Sequence, residues 1–158
     1  LFQDSNIGEV EIYGAELNGT WRINRSWQLS SAVAWSRGMD KISARPLDSV
    51  SPLTAVISTR FDADSGQWGA ETLLTLAGNQ KRVSAPDRIT GEAYALVDLV
   101  AYLDLGTHAK LRAGVFNLFD ADYAAWNSIK GLAATDSENI AKAQAPGTNF
   151  RLSLNYEF

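Results

Sequence analysis

Apolar and polar positions alternate with a period of two in seven runs of this chain. Tyr13, Ala15, Leu17, Gly19 and Trp21 share one face of the first run, and Gly14, Glu16, Asn18, Thr20 and Arg22 the other. The same alternation covers Trp27–Trp35, Leu53–Phe61, Trp68–Leu76, Ala95–Leu103, Leu111–Val115 and Phe150–Phe158. Successive side chains of a strand point to opposite faces, so each run predicts a strand with one apolar face. Within the runs the apolar faces carry no ionisable residue. Glu16, Arg22, Arg60, Glu71, Asp98, Lys110, Arg112, Arg151 and Glu157 fall on the other face.

A soluble β-sandwich alternates in the same way, and two features separate the readings. First, aromatic residues recur eight positions apart on the apolar face: Tyr13 and Trp21, Trp27 and Trp35, Phe150 and Phe158. Eight residues span roughly 26 Å of strand. Tilted by about 40°, that is about 20 Å of height, close to the apolar band between the aromatic girdles of an outer-membrane barrel. Second, connection lengths alternate. Ile23–Ser26, Asp62–Gln67 and Leu105–Ala109 are short, whereas Arg37–Pro52, Ala77–Gly91 and Phe119–Gly147 are long. Short periplasmic turns and long extracellular loops are the habit of such barrels. The expected fold is therefore all-β, an antiparallel transmembrane β-barrel segment. Seven is an odd number, and an open sheet in lipid leaves unsatisfied edges costing several kcal/mol per group. The chain, which starts at Leu1, is thus expected to be the C-terminal part of a larger barrel, with earlier strands upstream.

Composition narrows the chemistry. The formal net charge is −4, which argues against a nucleic-acid partner. The mean hydropathy of −0.14 does not discriminate, because transmembrane strands average near neutral. The absence of cysteine excludes disulfides, thiolate metal sites and a cysteine nucleophile, and the single histidine, His108, excludes any site needing two imidazoles. His108 falls in a short turn, where a solvated role is expected. Asp62-Ala63-Asp64-Ser65-Gly66 opens like a calcium loop, but the twelfth position is Leu73 rather than glutamate, so a polar turn is expected. No catalytic constellation and no metal site emerge.

Two stretches carry a family resemblance. The terminal run, with Phe150, Leu152, Leu154, Tyr156 and Phe158 on one face, resembles the C-terminal signal that hands outer-membrane barrels to their assembly machinery. Val115-Phe116-Asn117-Leu118-Phe119-Asp120-Ala121-Asp122-Tyr123 resembles the N-L-F-D-x-x-Y stretch near the end of TonB-dependent receptors; its matching residues are Asn117, Leu118, Phe119, Asp120 and Tyr123. Tyr123-Ala124-Ala125-Trp126 and Gln144-Ala145-Pro146-Gly147-Thr148-Asn149 resemble the Y-x-x-W and Q-P-G-R-N elements of the haem/haemoglobin branch. Here Ala145 precedes the proline and Thr148 stands in place of the arginine. Pro46–Pro52 resembles a further family element that enters a strand.

The resemblance implies a 22-stranded barrel plugged by an N-terminal domain, with the plug, the TonB box and the haem-ligating histidines upstream. It implies active uptake rather than catalysis, outer-membrane location, TonB as a partner through the missing part, and haem as transported ligand with no cofactor held by this segment. A ferric siderophore or cobalamin is the alternative cargo, and a passive porin a more distant one. Asp120 and Asp122 are expected to order the start of the last long loop. Within it, Asp136-Ser137-Glu138-Asn139-Ile140-Ala141-Lys142-Ala143 offers an N-cap followed by helix formers. Trp126, Asn127 and Lys130 are the candidate ligand contacts, weighed against plain loop packing.

Overall fold

A computed structural model describes residues 8–106 and 108–157 of the chain. Its strands are β1 (Val10–Arg22), β2 (Trp27–Asp40), β3 (Arg45–Pro46), β4 (Thr54–Asp62), β5 (Trp68–Ala77), β6 (Tyr94–Asp104), β7 (Ala109–Phe116) and β8 (Asn149–Tyr156). Two short helices, α1 (Trp126–Ile129) and α2 (Ser137–Lys142), lie between β7 and β8. The long strands pair antiparallel in the order β1-β2-β4-β5-β6-β7-β8, with β3 attached to β2 alone. β1 and β8 form the two edges and do not pair with each other, so the sheet is open.

The register explains why the alternation is so regular. Directly opposed residues of antiparallel neighbours share a face. Leu17 opposes Val33, Val33 opposes Ala55, and Ala55 opposes Leu76. Leu76 opposes Ala95; further along, Leu99 opposes Val115 and Val115 opposes Phe150. One apolar face thus runs unbroken across seven strands. Among the described residues nothing covers it: Phe150, Leu152 and Leu154 remain 78%, 71% and 62% exposed. In water so extended an apolar surface would be an aggregation site; in lipid it is the normal outer wall of a barrel. Phe158, the last residue of the expected terminal signal, lies outside the described residues.

Aromatic rings mark both ends of this band. At the short-turn end, Trp27, Phe61 and Trp68 form a chain with ring centroids 5.0 and 5.1 Å apart. At the long-loop end, Tyr13 meets Trp35 edge-on at 5.8 Å. The turns are tight, as expected. Asn24 Oδ1 accepts from the Ser26 and Trp27 amides, and Ser26 Oγ donates to Asp64 across to the next turn. Gly66, at φ +70°, turns the Asp62–Gln67 connection.

The seven expected strands are all present, and the two-residue β3, folded back on Met39 and Asp40, adds an eighth. Two expectations are corrected. β1 and β2 run further than the alternation, β2 reaching Asp40 rather than Trp35. Beyond the apolar band both faces of a strand meet polar surroundings, so the backbone pairing continues while the hydrophobic alternation stops. The Arg37–Pro52 connection is consequently part strand. The last connection likewise contains α1, a helical turn absent from the sequence reading, as well as the expected α2.

The other face of the sheet is polar, and near the short-turn end some of its charges pair with each other. Arg60 donates from Nε and Nη2 to Asp62 at 2.8 and 2.9 Å, and the Tyr102 hydroxyl donates to Asp62 at 2.6 Å. Lys110 pairs with Asp104 at 3.1 Å and lies 4.9 Å from the Tyr102 ring centroid. These groups hydrate and stiffen the inner wall near the short-turn end.

Candidate functional site

Buried side chains are concentrated at the long-loop end rather than in the wall. The buried residues include Val50, Gln80, Asn117, Trp126 and Ile129, and each belongs to one of the three long connections. These connections are knitted into one cap. The Asp48 carboxylate accepts from the Ser84 amide at 2.7 Å and from Ser84 Oγ at 2.5 Å. The Asp48 carbonyl accepts from the Trp126 indole at 3.0 Å. Gln80 Nε2 donates to the Val50 carbonyl at 2.9 Å. Ile89 N–H donates to Leu132 O, and Ala134 N–H to Asp87 O. All three long connections therefore meet at Asp48 and its neighbours.

The attachment of the first connection depends on the absence of a side chain at Gly38. A Cβ there would lie 2.6 Å from Val50 Cγ2 and 3.0 Å from Leu47 Cδ1. Gly38→Val is expected to push this connection off the wall at a cost of about 1–3 kcal/mol. Limited proteolysis should then cleave between residues 41 and 53 faster than in the unsubstituted chain; an unchanged rate would show that Leu47 and Val50 are not seated there.

The Asn117-Leu118-Phe119-Asp120-Ala121-Asp122-Tyr123 stretch forms the neck of the last connection. Asn117 is 4% exposed and sits at φ +51°, a conformation its short amide side chain tolerates. Its Nδ2 donates to Ala121 O at 2.9 Å and Pro146 O at 3.3 Å, while Oδ1 accepts from the Ala121 amide at 2.8 Å. Its own amide donates to Asp98 on β6. Asp120, also left-handed at φ +54°, accepts from the Thr148 amide at 2.8 Å, and Thr148 Oγ1 donates to Asn117 O at 2.8 Å. Thr148, in place of an arginine, thus ties the two ends of the connection together. Tyr123 stacks on Tyr94 at 4.6 Å. Leu118 is half-buried and Phe119 exposed.

The structure separates the three candidate ligand contacts. Trp126 is 5% exposed, with its indole turned into the cap. Asn127 on α1 and Lys130 just after it are both exposed, and Lys130 Nζ donates to Asn127 Oδ1 at 3.0 Å. His108 is exposed in its turn, where its carbonyl accepts from the Glu157 amide. Among the described residues no cluster of histidine, cysteine or carboxylate side chains could hold a metal ion.

α2 is capped as its sequence predicts. Asp136 accepts from the Asn139 amide and side chain, and these hydrogen bonds hold its carboxyl below the usual carboxylate range. A group whose pKa is lowered by folding stabilises above its unfolded pKa and loses that contribution as pH falls through the folded one. α2 is therefore expected to fray below about pH 4, and Asp136→Asn to remove the dependence. Cα chemical shifts of Ser137–Lys142 followed on acidification would check this; identical profiles for the two forms would count against it.

Comparison with known proteins agrees with this architecture. The family model described as "TonB dependent receptor-like, beta-barrel" matches residues 1–118. Hemoglobin-haptoglobin utilization protein B of Neisseria meningitidis is 25% identical, an alignment covering 100% of this chain and 23% of that protein. Lactoferrin-binding protein A of the same species is 31% identical, over 82% of this chain and 16% of that protein. Among solved structures, the copper transporter OprC superposes with a TM-score of 0.82 at 24% identity, covering 94% of this chain and 24% of that one. The ferric enterobactin receptor of Pseudomonas aeruginosa gives 0.77 at 24% identity, covering 97% and 23%. The chain spans about a quarter or less of the length of these proteins. With three-quarters of its residues inside the family model, it belongs to the TonB-dependent receptor-like β-barrel family.

Proposed function

We propose that this chain forms the C-terminal wall and three outer loops of an outer-membrane receptor that takes up haem, free or carried by haemoglobin, with energy delivered through TonB. The reading is carried by the alignment over 100% of the chain with a haemoglobin-haptoglobin utilisation protein, and supported by the unbroken apolar face and the loop cap. The long-loop end faces outward and the short turns face the periplasm. The segment contributes no catalysis and holds no cofactor of its own. TonB is met by a part of the receptor outside this chain, and β8, with its terminal aromatic, serves the barrel-assembly machinery. Asn127 on α1 and Lys130 just after it, both exposed, are offered as contacts to the haem-bearing partner; Trp126 would act by holding α1 in place.

The fold likeness to the ferric enterobactin receptor favours a second reading, a ferric siderophore as cargo. Growth of an iron-starved strain with and without the intact receptor separates the two. Receptor-dependent growth on haemoglobin is the expected result. Receptor-dependent growth on a ferric siderophore but not on haemoglobin would replace haem as the cargo. Asn127→Ala with Lys130→Ala should weaken haemoglobin binding while leaving the receptor folded.

A further inference from the structure

At its long-loop end the polar face of the sheet leads into a pocket of about 190 Å³. Tyr94, the first residue of β6, shares that face with Asp98 and Tyr102, because alternate residues of a strand point the same way. The neck of the last connection folds over it. The Asp98 carboxylate holds the Asn117 amide at 2.8 Å, and Tyr123 stacks on Tyr94 at 4.6 Å. Ile129 of α1, which is buried, and Ile140 of α2, which is half-buried, give the pocket an apolar lining. Glu92 and Asp122 line it too, and both are exposed.

The pocket is acidic and lacks a counter-charge. No lysine or arginine lines it. Among the described residues neither carboxylate has a cation within 4.0 Å. The cations of the surrounding loops are engaged elsewhere: Lys142 by Glu138 at 2.6 Å, Lys130 by Asn127 at 3.0 Å, and Arg88 by the Gly131 carbonyl. The walls are set by the fold. Gln80 and Gly91 exchange backbone hydrogen bonds of 2.8 and 2.9 Å just before Glu92, and the Ala93 amide just after it donates to Asn79 Oδ1 at 2.9 Å. The Tyr123 carbonyl accepts from the Ala145 amide at 2.9 Å.

We propose that this pocket receives a lysine side chain of the protein that carries the haem. The aliphatic stem would lie along Ile129 and Ile140, and the ammonium would meet Glu92 and Asp122 beside the Tyr94 and Tyr123 rings. Lysine joins an apolar stem to a compact charge, and aromatic faces attract a cation in addition to the carboxylates. Haem itself carries carboxylates, which the two acids repel. The inference rests on the cargo and the orientation proposed above.

The test measures binding of haemoglobin to the intact receptor in micelles. Three forms are compared: unmodified haemoglobin, haemoglobin with acetylated lysines, which lose their charge, and haemoglobin with methylated lysines, which keep it. Acetylation is expected to weaken binding about tenfold or more, and methylation to change it little. Glu92→Gln combined with Asp122→Asn should weaken binding of unmodified haemoglobin about tenfold and flatten its salt dependence. The loss caused by acetylation should shrink by the same factor in that variant, while binding of haemin alone is unchanged. Equal binding of the acetylated and methylated forms, undiminished binding by the variant, or an equal acetylation loss in parent and variant would each overturn the proposal. So would an equal loss of haemin binding, which would put the cargo rather than its carrier in the pocket. The comparison of modified haemoglobins needs no substitution and stands even if the variant misfolds. A receptor that binds haemoglobin without regard to lysine charge loses only this pocket; one that never binds haemoglobin loses the haem reading as well.

Discussion

Leu154→Arg is expected to destabilise the assembled barrel by about 2–4 kcal/mol. Leu154 opposes Leu111 on the apolar face and is 62% exposed there. In sequence it lies midway between Phe150 and Phe158, the two aromatic ends of the last run. A guanidinium at that depth meets hydrocarbon with no partner, since the neighbouring residues of the face are Leu152 and Tyr156. The cost falls steeply toward the interfaces, so the same substitution at Tyr156 should cost less. Ser153→Glu is the matched control. Ser153 opposes Arg112 on the polar face, where a carboxylate gains a partner and is expected to be tolerated. The measurement is the urea midpoint of the intact receptor in micelles. An unchanged midpoint for Leu154→Arg would mean that the apolar face has been assigned to the wrong side.

Asn117→Ala is expected to free the neck of the last connection at a cost of about 3–4 kcal/mol. Three side-chain hydrogen bonds disappear, leaving the Ala121 amide and the Ala121 and Pro146 carbonyls without these partners in a buried site. Each such bond contributes on the order of 1 kcal/mol. Alanine also tolerates the φ of +51° less well than asparagine, by about 1 kcal/mol. Asn117→Gly separates the two contributions, because glycine keeps the backbone conformation and loses only the hydrogen bonds. The damage should be local. Protease should cut within residues 118–148 rapidly while the wall keeps its thermal midpoint. If the alanine variant resists protease as well as the parent chain, Asn117 is not what closes the neck.

The contrast between wall and cap shows what the sequence could reveal. The wall was legible because lipid on one side and water on the other impose a period of two on every residue between Trp27 and Trp35, or Ala95 and Leu103. β2 ran on unseen beyond Trp35 because Arg37 and Met39 no longer stand against hydrocarbon, while their backbones still pair with Tyr13 and Glu11. α2 was legible because Asp136, Asn139 and Lys142 are local signals. α1 was not, because its single turn is held by burying Trp126 and Ile129 rather than by any cap: its N-cap position, Ala125, makes no side-chain hydrogen bond. The cap depends on partners far apart in the chain. Asp48 meets Ser84 across 36 residues and Trp126 across 78. No local pattern announces such pairs. The resemblance at Asn117–Tyr123 located the neck without explaining it; the explanation lies in the carbonyl of Pro146 and in Thr148, 29 and 31 residues from Asn117.

The distribution of tryptophan gives wall and cap separate optical signatures. Trp21, Trp27, Trp35 and Trp68 all stand exposed on the apolar face at its aromatic ends, whereas Trp126 is enclosed by the loops. Quenchers carried on lipid chains reach the first four and not the fifth. Within this chain, the emission that survives such quenching therefore comes from the loop cap. Cargo that disturbs Asp48 or α1 would shift this residual emission while the quenched fraction, set by the wall, stays where it was.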